Sequence, residues 1–192
     1  MPPELQKLQS DVEQLRLILT QHQHQGFDFS PSLRGQDWQQ IGKTVLAAAA
    51  TSIRVDIPQK QFLRILIQWG AKSAGSDDYL RFNNDSAGNY TFINSGGTAR
   101  TSQTQIDIRD ALNSALGGFA VIDIVNNLSS IVKPVIVHVA NRITSAGTAQ
   151  TFYQIFGTWV NTANFITRID LVSSGAATFP ANSSILVLSS KE

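Results

Sequence analysis

Apolar residues near the start of the chain recur at Leu5, Leu8, Val12, Leu15 and Leu19, a spacing of three, four, three, four. That is the a/d seam of a heptad repeat, and it predicts a helix over residues 4–21. Pro2 and Pro3 stand where a helix tolerates proline, and Glu4 suits the positive N-terminal end. With Leu5, Val12 and Leu19 at a, Leu8 and Leu15 fall at d. Asp11 is then g and Arg16 the following e, a pair placed to bridge neighbouring parallel helices. Such a helix is about 27 Å long and marginal alone in water. The stripe is narrow and the opposite face polar (Gln6, Lys7, Gln9, Ser10, Glu13, Gln14). Self-association therefore fits better than an amphipathic helix lying on its own domain.

Gly26 and Pro31 end the helical pattern, and the texture then changes. Short runs rich in Val, Ile, Phe, Tyr and Thr alternate with Gly, Ser, Asn and Asp turns. Strands are expected at 38–47, 52–57, 62–70, 79–83, 90–94, 105–110, 119–126, 134–144, 150–160, 164–173 and 184–188. Arg64, Gln68, His138, Asn141, Arg168 and Asp170 fall between apolar neighbours, the pattern of sheets with one wet face. Residues 109–118 read as a short helix or an ordered loop, and the alanines at 47–50 as strand or bulge. Loops are expected at 71–78, 94–104 and 143–150. So many short strands with little helical pattern among them predict a mainly β fold, an antiparallel sandwich. The expected domains are a coiled-coil helix over 1–21, a joint over 22–36 and a sandwich over 37–192.

Composition narrows the function. Charged residues make up 15% of the 192, and 15 Lys plus Arg against 14 Asp plus Glu leave a formal net charge of +1. No basic face is visible, so phosphate-driven nucleic-acid binding is set aside. The absence of cysteine excludes disulfides, thiolate nucleophiles and Cys-based zinc sites. The first residues, "MPPELQKLQSDVEQL", lack the apolar core of a secretory signal. No run approaches the ~18 apolar residues of a membrane helix.

Nothing in the chain carries a catalytic signature. P-loop, G-x-S-x-G, H-E-x-x-H and dinucleotide patterns are missing, so no enzyme is expected. "SDDYLRFNND" groups Asp77, Asp78 and Asp85 around a short strand; these are oxygen ligands for Ca²⁺ or, alternatively, plain turn residues. Tyr79, Tyr90 and Trp159 are candidates for glycan contacts beside that loop. His138 sits at an alternating strand position with no triad around it.

His22 and His24 are placed by the heptad. Counting on from Leu19, His22 takes the next d position and points at the bundle axis. In three parallel chains whose backbone extends there, His22 and His24 would offer six imidazoles to a transition-metal ion. The alternative is a solvated polar ring at the helix end, and no cofactor is required.

A heptad helix, a histidine-rich turn ("QHQHQGFDF") and a β domain together resemble a layout of tailed-bacteriophage virion-surface proteins. The stretches "WQQIGKTVLAAAATSIRVDI", "LRILIQWGAKSAGSDDYLRFNNDSAGNY" and "FPANSSILVLSS" are similar to the jelly-roll domains of that group. The resemblance implies a non-enzymatic homotrimer on the outside of a virion, with a jelly-roll sandwich. Two placements follow from it. One is a head decoration or cement protein bound to the major capsid protein. The other is a tail-fibre or receptor-binding tip that recognises host-surface glycan or protein. The short chain, with no long shaft, favours the head.

Overall fold

Twelve strands form in a computed structural model that describes residues 38–73, 77–108, 117–127, 131–141 and 152–190. They are β1 (Trp38–Val45), β2 (Ser52–Asp56), β3 (Phe62–Trp69) and β4 (Asp78–Phe82). Next come β5 (Tyr90–Asn94), β6 (Ala99–Gln103), β7 (Ile106–Asp107) and β8 (Gly118–Val125). The last four are β9 (Lys133–Asn141), β10 (Phe152–Trp159), β11 (Arg168–Ser173) and β12 (Ser184–Ser190). The expected helix over 4–21 and the joint after it lie outside the described residues, as do 109–116 and 142–151.

The strands make two antiparallel sheets packed as a sandwich. The larger has eight strands in the order β1-β12-β3-β8-β9-β10-β5-β6, and the smaller has four in the order β2-β11-β4-β7. Period-two alternation builds the interior between them. Leu63, Ile65, Ile67 and Trp69 of β3 point inward, as do Ala120, Ile122 and Ile124 of β8 and Val135, Val137 and Val139 of β9. Ile53, Val55, Leu80, Phe82, Ile169 and Leu171 meet them from the small sheet. Burying such side chains is worth about 1.5–3 kcal/mol each, the main favourable contribution to folding.

An aromatic cluster closes one end of this core. Phe82 lies 6.1 Å from Tyr90 and 5.9 Å from Trp159, ring centre to ring centre, in tilted arrangements. The buried polar ends are satisfied: the Tyr90 hydroxyl accepts from Phe82 N–H at 2.9 Å and donates to the Asp85 carbonyl at 3.1 Å. Trp159 Nε1 donates to Asp85 Oδ2 at 2.8 Å.

Several expected boundaries move. The stretch 94–104 is not all loop, because Ala99–Gln103 forms β6 against β5. That edge strand, "ARTSQ", is exposed along nearly its whole length and so carries no apolar alternation. The strand expected from 164 begins at Arg168. Before it, the Asn126 side chain binds Ile166 N–H, and Asn83 binds the N–H groups of Thr167 and Arg168, diverting backbone donors from the sheet. Of the strand expected over 105–110, Ile106–Asp107 forms β7, Gln105 and Ile108 lie outside it, and 109 and 110 lie outside the described residues. β1 stops at Val45, and of the alanines only Ala50 pairs, in an isolated bridge to Phe179.

Candidate functional site

The two outward faces of the sandwich differ in chemistry. On the small sheet, Arg54 of β2, Asp170 of β11 and Arg81 of β4 lie side by side in register. Asp56 and Arg168 make the next row. Arg54 binds Asp56 through Nη2 at 2.8 Å, Arg168 binds Asp170 at 2.7 Å, and Arg81 donates to Gln105 at 2.6 Å. Opposite charges directly across strands stabilise a sheet modestly. Arg54 and Asp56 keep their side chains in water, whereas the Asp170 side chain between Arg54 and Arg81 is 6% exposed. The face is charged, and its ions are paired within the chain.

The large sheet presents the opposite pattern. One row across it runs Ile93, Phe156, Ile136, Asp123, Arg64 and Leu188, from β5 through β10, β9, β8 and β3 to β12. The next runs Gln154, His138, Val121, Leu66 and Leu186, ending at Lys43 of β1. A third places Phe152, Ala140 and Phe119 beside Gln68. A fourth pairs Val125 with Phe62 and Thr158 with Pro134. Phe152 is 60% exposed, Phe156 50% and Phe119 45%, so among the described residues nothing covers them.

Two ordered features sit within this apolar field. Arg64 binds Asp123 in a two-pronged pair, Nε to Oδ1 at 2.7 Å and Nη2 to Oδ2 at 3.0 Å. The Trp38 ring lies 4.9 Å from the Arg64 guanidinium carbon, a cation–π contact. His138 stacks on Phe152 with ring centres 5.9 Å apart. The histidine therefore takes part in the surface pattern of the sheet, as its alternating position predicts.

The residues considered as a calcium loop do not converge. Asp78 opens β4 and forms an ion pair with Lys72, both side chains fully buried. The Lys72 ammonium also reaches Ser173 Oγ at 3.4 Å and lies 5.5 Å from the Phe179 ring centre. Asp85 lies beyond the other end of β4, where it accepts from Asn89, Trp159 and Ala87 N–H. Asn83 and Asn84 take positive φ values of 53° and 57°, which is turn chemistry. Among the described residues no three His, Cys, Asp or Glu side chains are grouped to hold a metal ion. His22 and His24 lie outside those residues, as do the seam positions Leu5, Leu8, Val12, Leu15 and Leu19 and the pair Asp11 and Arg16.

Of the proposed glycan contacts, Tyr90 and Trp159 are fully buried core residues, whereas Tyr79 remains half-exposed on the small sheet. Burial pushes the Tyr79 hydroxyl upward from its ordinary value, reinforced by the charge of Asp77.

The apolar face is the surface feature that strand patterning alone missed. Its signal is present in "FAVIDIV", "PVIVHVA" and "FYQIF", where apolar residues fill both alternating sets. Such runs mark strands covered on both sides. Comparison with family models, curated proteins and solved structures found no match.

Proposed function

We propose that the chain is a non-enzymatic structural protein of a tailed-phage particle, a homotrimer that decorates the head and binds the major capsid protein. The observation that supports the assembly part of this reading, the homotrimer, is the exposed apolar face of the large sheet; the head placement rests on the resemblance of the sequence to virion-surface proteins. Contiguous apolar surface beyond roughly a few hundred Å² is uncommon on a free monomer and marks an interaction surface. A protein of such low charge with such a face is built for assembly.

The strand order supports a jelly roll within the sandwich. Taking the hairpins β5–β6 and β9–β10 as insertions leaves eight strands. β1-β12-β3-β8 then follow the order 1-8-3-6, and β2-β11-β4-β7 follow 2-7-4-5. Those are the two interleaved four-strand orders of a jelly roll, an architecture common in capsid proteins. Both insertions add to the same edge of the large sheet, beyond β8. They contribute Ile93, Ile136, Phe152 and Phe156, much of the exposed apolar surface.

Quantitative protein staining of purified virions tests the placement. A decoration protein is expected at a copy number comparable with that of the major capsid protein. A handful of copies would overturn the head assignment and favour a receptor-binding tail tip. Glycan binding by the isolated protein would point the same way.

A further inference from the structure

We infer that the outer face of the eight-stranded sheet is buried between copies of this chain, and so is not the surface that meets the capsid shell. The inference rests on the homotrimer reading and names the surface that seals it.

The face is large for exposed apolar surface on one domain. From β5 to β1 it crosses seven strands, and its rows extend over four alternating positions. At ordinary strand spacing it spans about 29 Å by 20 Å, roughly 600 Å². A standard interface buries about 800 Å² per partner, so the face shared between two neighbours of a ring is smaller than that and needs a second contact to hold the copies together.

Its chemistry points to a like surface as occupant. Arg64 and Asp123 neutralise each other within one chain, at 2.7 and 3.0 Å, and call for no charged partner. Around them the apolar residues run across the face without a break, from Phe152 and Phe156 of β10 through Phe119 and Val121 of β8 to Leu66 and Leu186 of β3 and β12. A surface whose ions are matched within one chain meets a copy of itself without like-charge repulsion. In a closed three-fold ring each copy meets two others, so the two ends of the face would meet different neighbours.

The chain that precedes the domain adds a second argument. Thirty-seven residues lead into Trp38, and they carry the heptad seam from Leu5 to Leu19. Trp38 itself lies on this face, over Arg64. Association of the seams raises the effective concentration of the attached domains where the joint lets their faces meet. Contacts too weak to hold free domains then suffice.

The chain has no cysteine, so single thiols can report burial cleanly. Full-length Phe156→Cys and Ile136→Cys place the probe on the apolar face; Ser52→Cys places it on the charged face. Sedimentation velocity gives the mass, circular dichroism confirms folding, and maleimide labelling gives the accessibility. The expected result is a trimer in which both face thiols label at least about tenfold more slowly than the Ser52→Cys thiol. A trimer whose face thiols label as fast as the control would overturn the inference and leave the trimer standing. A monomeric wild type would overturn both. A dimer with protected face thiols would uphold burial between copies and overturn the three-fold reading. Ile136→Cys stands in should Phe156→Cys fail to fold, and Phe156→Asp is expected to lower the mass without changing the fold.

Discussion

Asp85 shows how much one carboxylate can hold together. Its two oxygens accept from Ala87 N–H at 2.9 Å, Asn89 Nδ2 at 2.9 Å and Trp159 Nε1 at 2.8 Å. Burial opposes its ionisation, but the hydrogen bonds from Asn89, Trp159 and Ala87 outweigh this and hold the carboxyl below its ordinary value of 3.8. Asp85→Ala strands the buried indole N–H and is expected to cost about 1–3 kcal/mol in urea unfolding at neutral pH. The sign with pH follows from the depressed value. The charged form's contribution is present above the ordinary value and lost as pH falls below 3.8 towards the folded value. The gap between wild type and variant should therefore narrow in acid.

Tyr90 gives the opposite sign. Burial pushes its phenol well above the ordinary 10.0, partly offset by the Phe82 N–H that donates to its oxygen. Its contribution is complete below pH 10 and is lost as pH rises further, because the unfolded chain then gives up the phenol proton while the folded one retains it. Tyr90→Phe leaves Phe82 N–H without that acceptor, an expected loss of about 1–3 kcal/mol at neutral pH. The difference from wild type should shrink above pH 10 in chemical unfolding. Neither role was legible in the sequence: Tyr90 and Trp159 read there as surface aromatics, because their partners are fixed only once β4, β5 and β10 come together.

At the scale of elements, alternation made β2, β3, β5, β8 and β12 legible, since each has one set of side chains in the core. It failed for β6, whose backbone pairs while its side chains stay in water. It also misplaced the start of β11, where the competing groups are two asparagine side chains from distant loops. Gly42 is a further case. β1 shifts register between Gln40 and Gly42 as it pairs with β12, which leaves Ile41 as an extra residue. A Cβ built at Gly42 would stand 2.7 Å from Ile57 Cγ2 and 2.8 Å from Val55 Cγ2. The glycine lets the strand pass close to the residues that follow into the other sheet. Gly42→Val is expected to destabilise by about 1–3 kcal/mol through overpacking, seen as a lower urea midpoint with unchanged slope. Ala at the same site should fall between.

The whole molecule sets a charged sheet face against an apolar one, and that contrast lay beyond the reach of local patterning. Continuous apolar runs in β8, β9 and β10 signalled coverage on both sides. Which residues form one surface required the register of seven strands, a non-local property. If copies of the chain cover that surface, folding and assembly are linked, because association stabilises only the folded form. For three unfolded chains in equilibrium with one folded trimer, about a hundredfold rise in protein concentration adds roughly 2 kcal/mol per chain. In a domain of this size that corresponds to an increase of about 4–7 °C in Tm. Differential scanning calorimetry across that concentration range should show the rise in wild type. With Phe156→Asp the rise should be reduced, because an aspartate on the 50%-exposed Phe156 position is solvated in the free domain and must lose that water on association. A Tm independent of concentration in the wild-type protein would mean that its apolar face is not covered by copies of itself in solution.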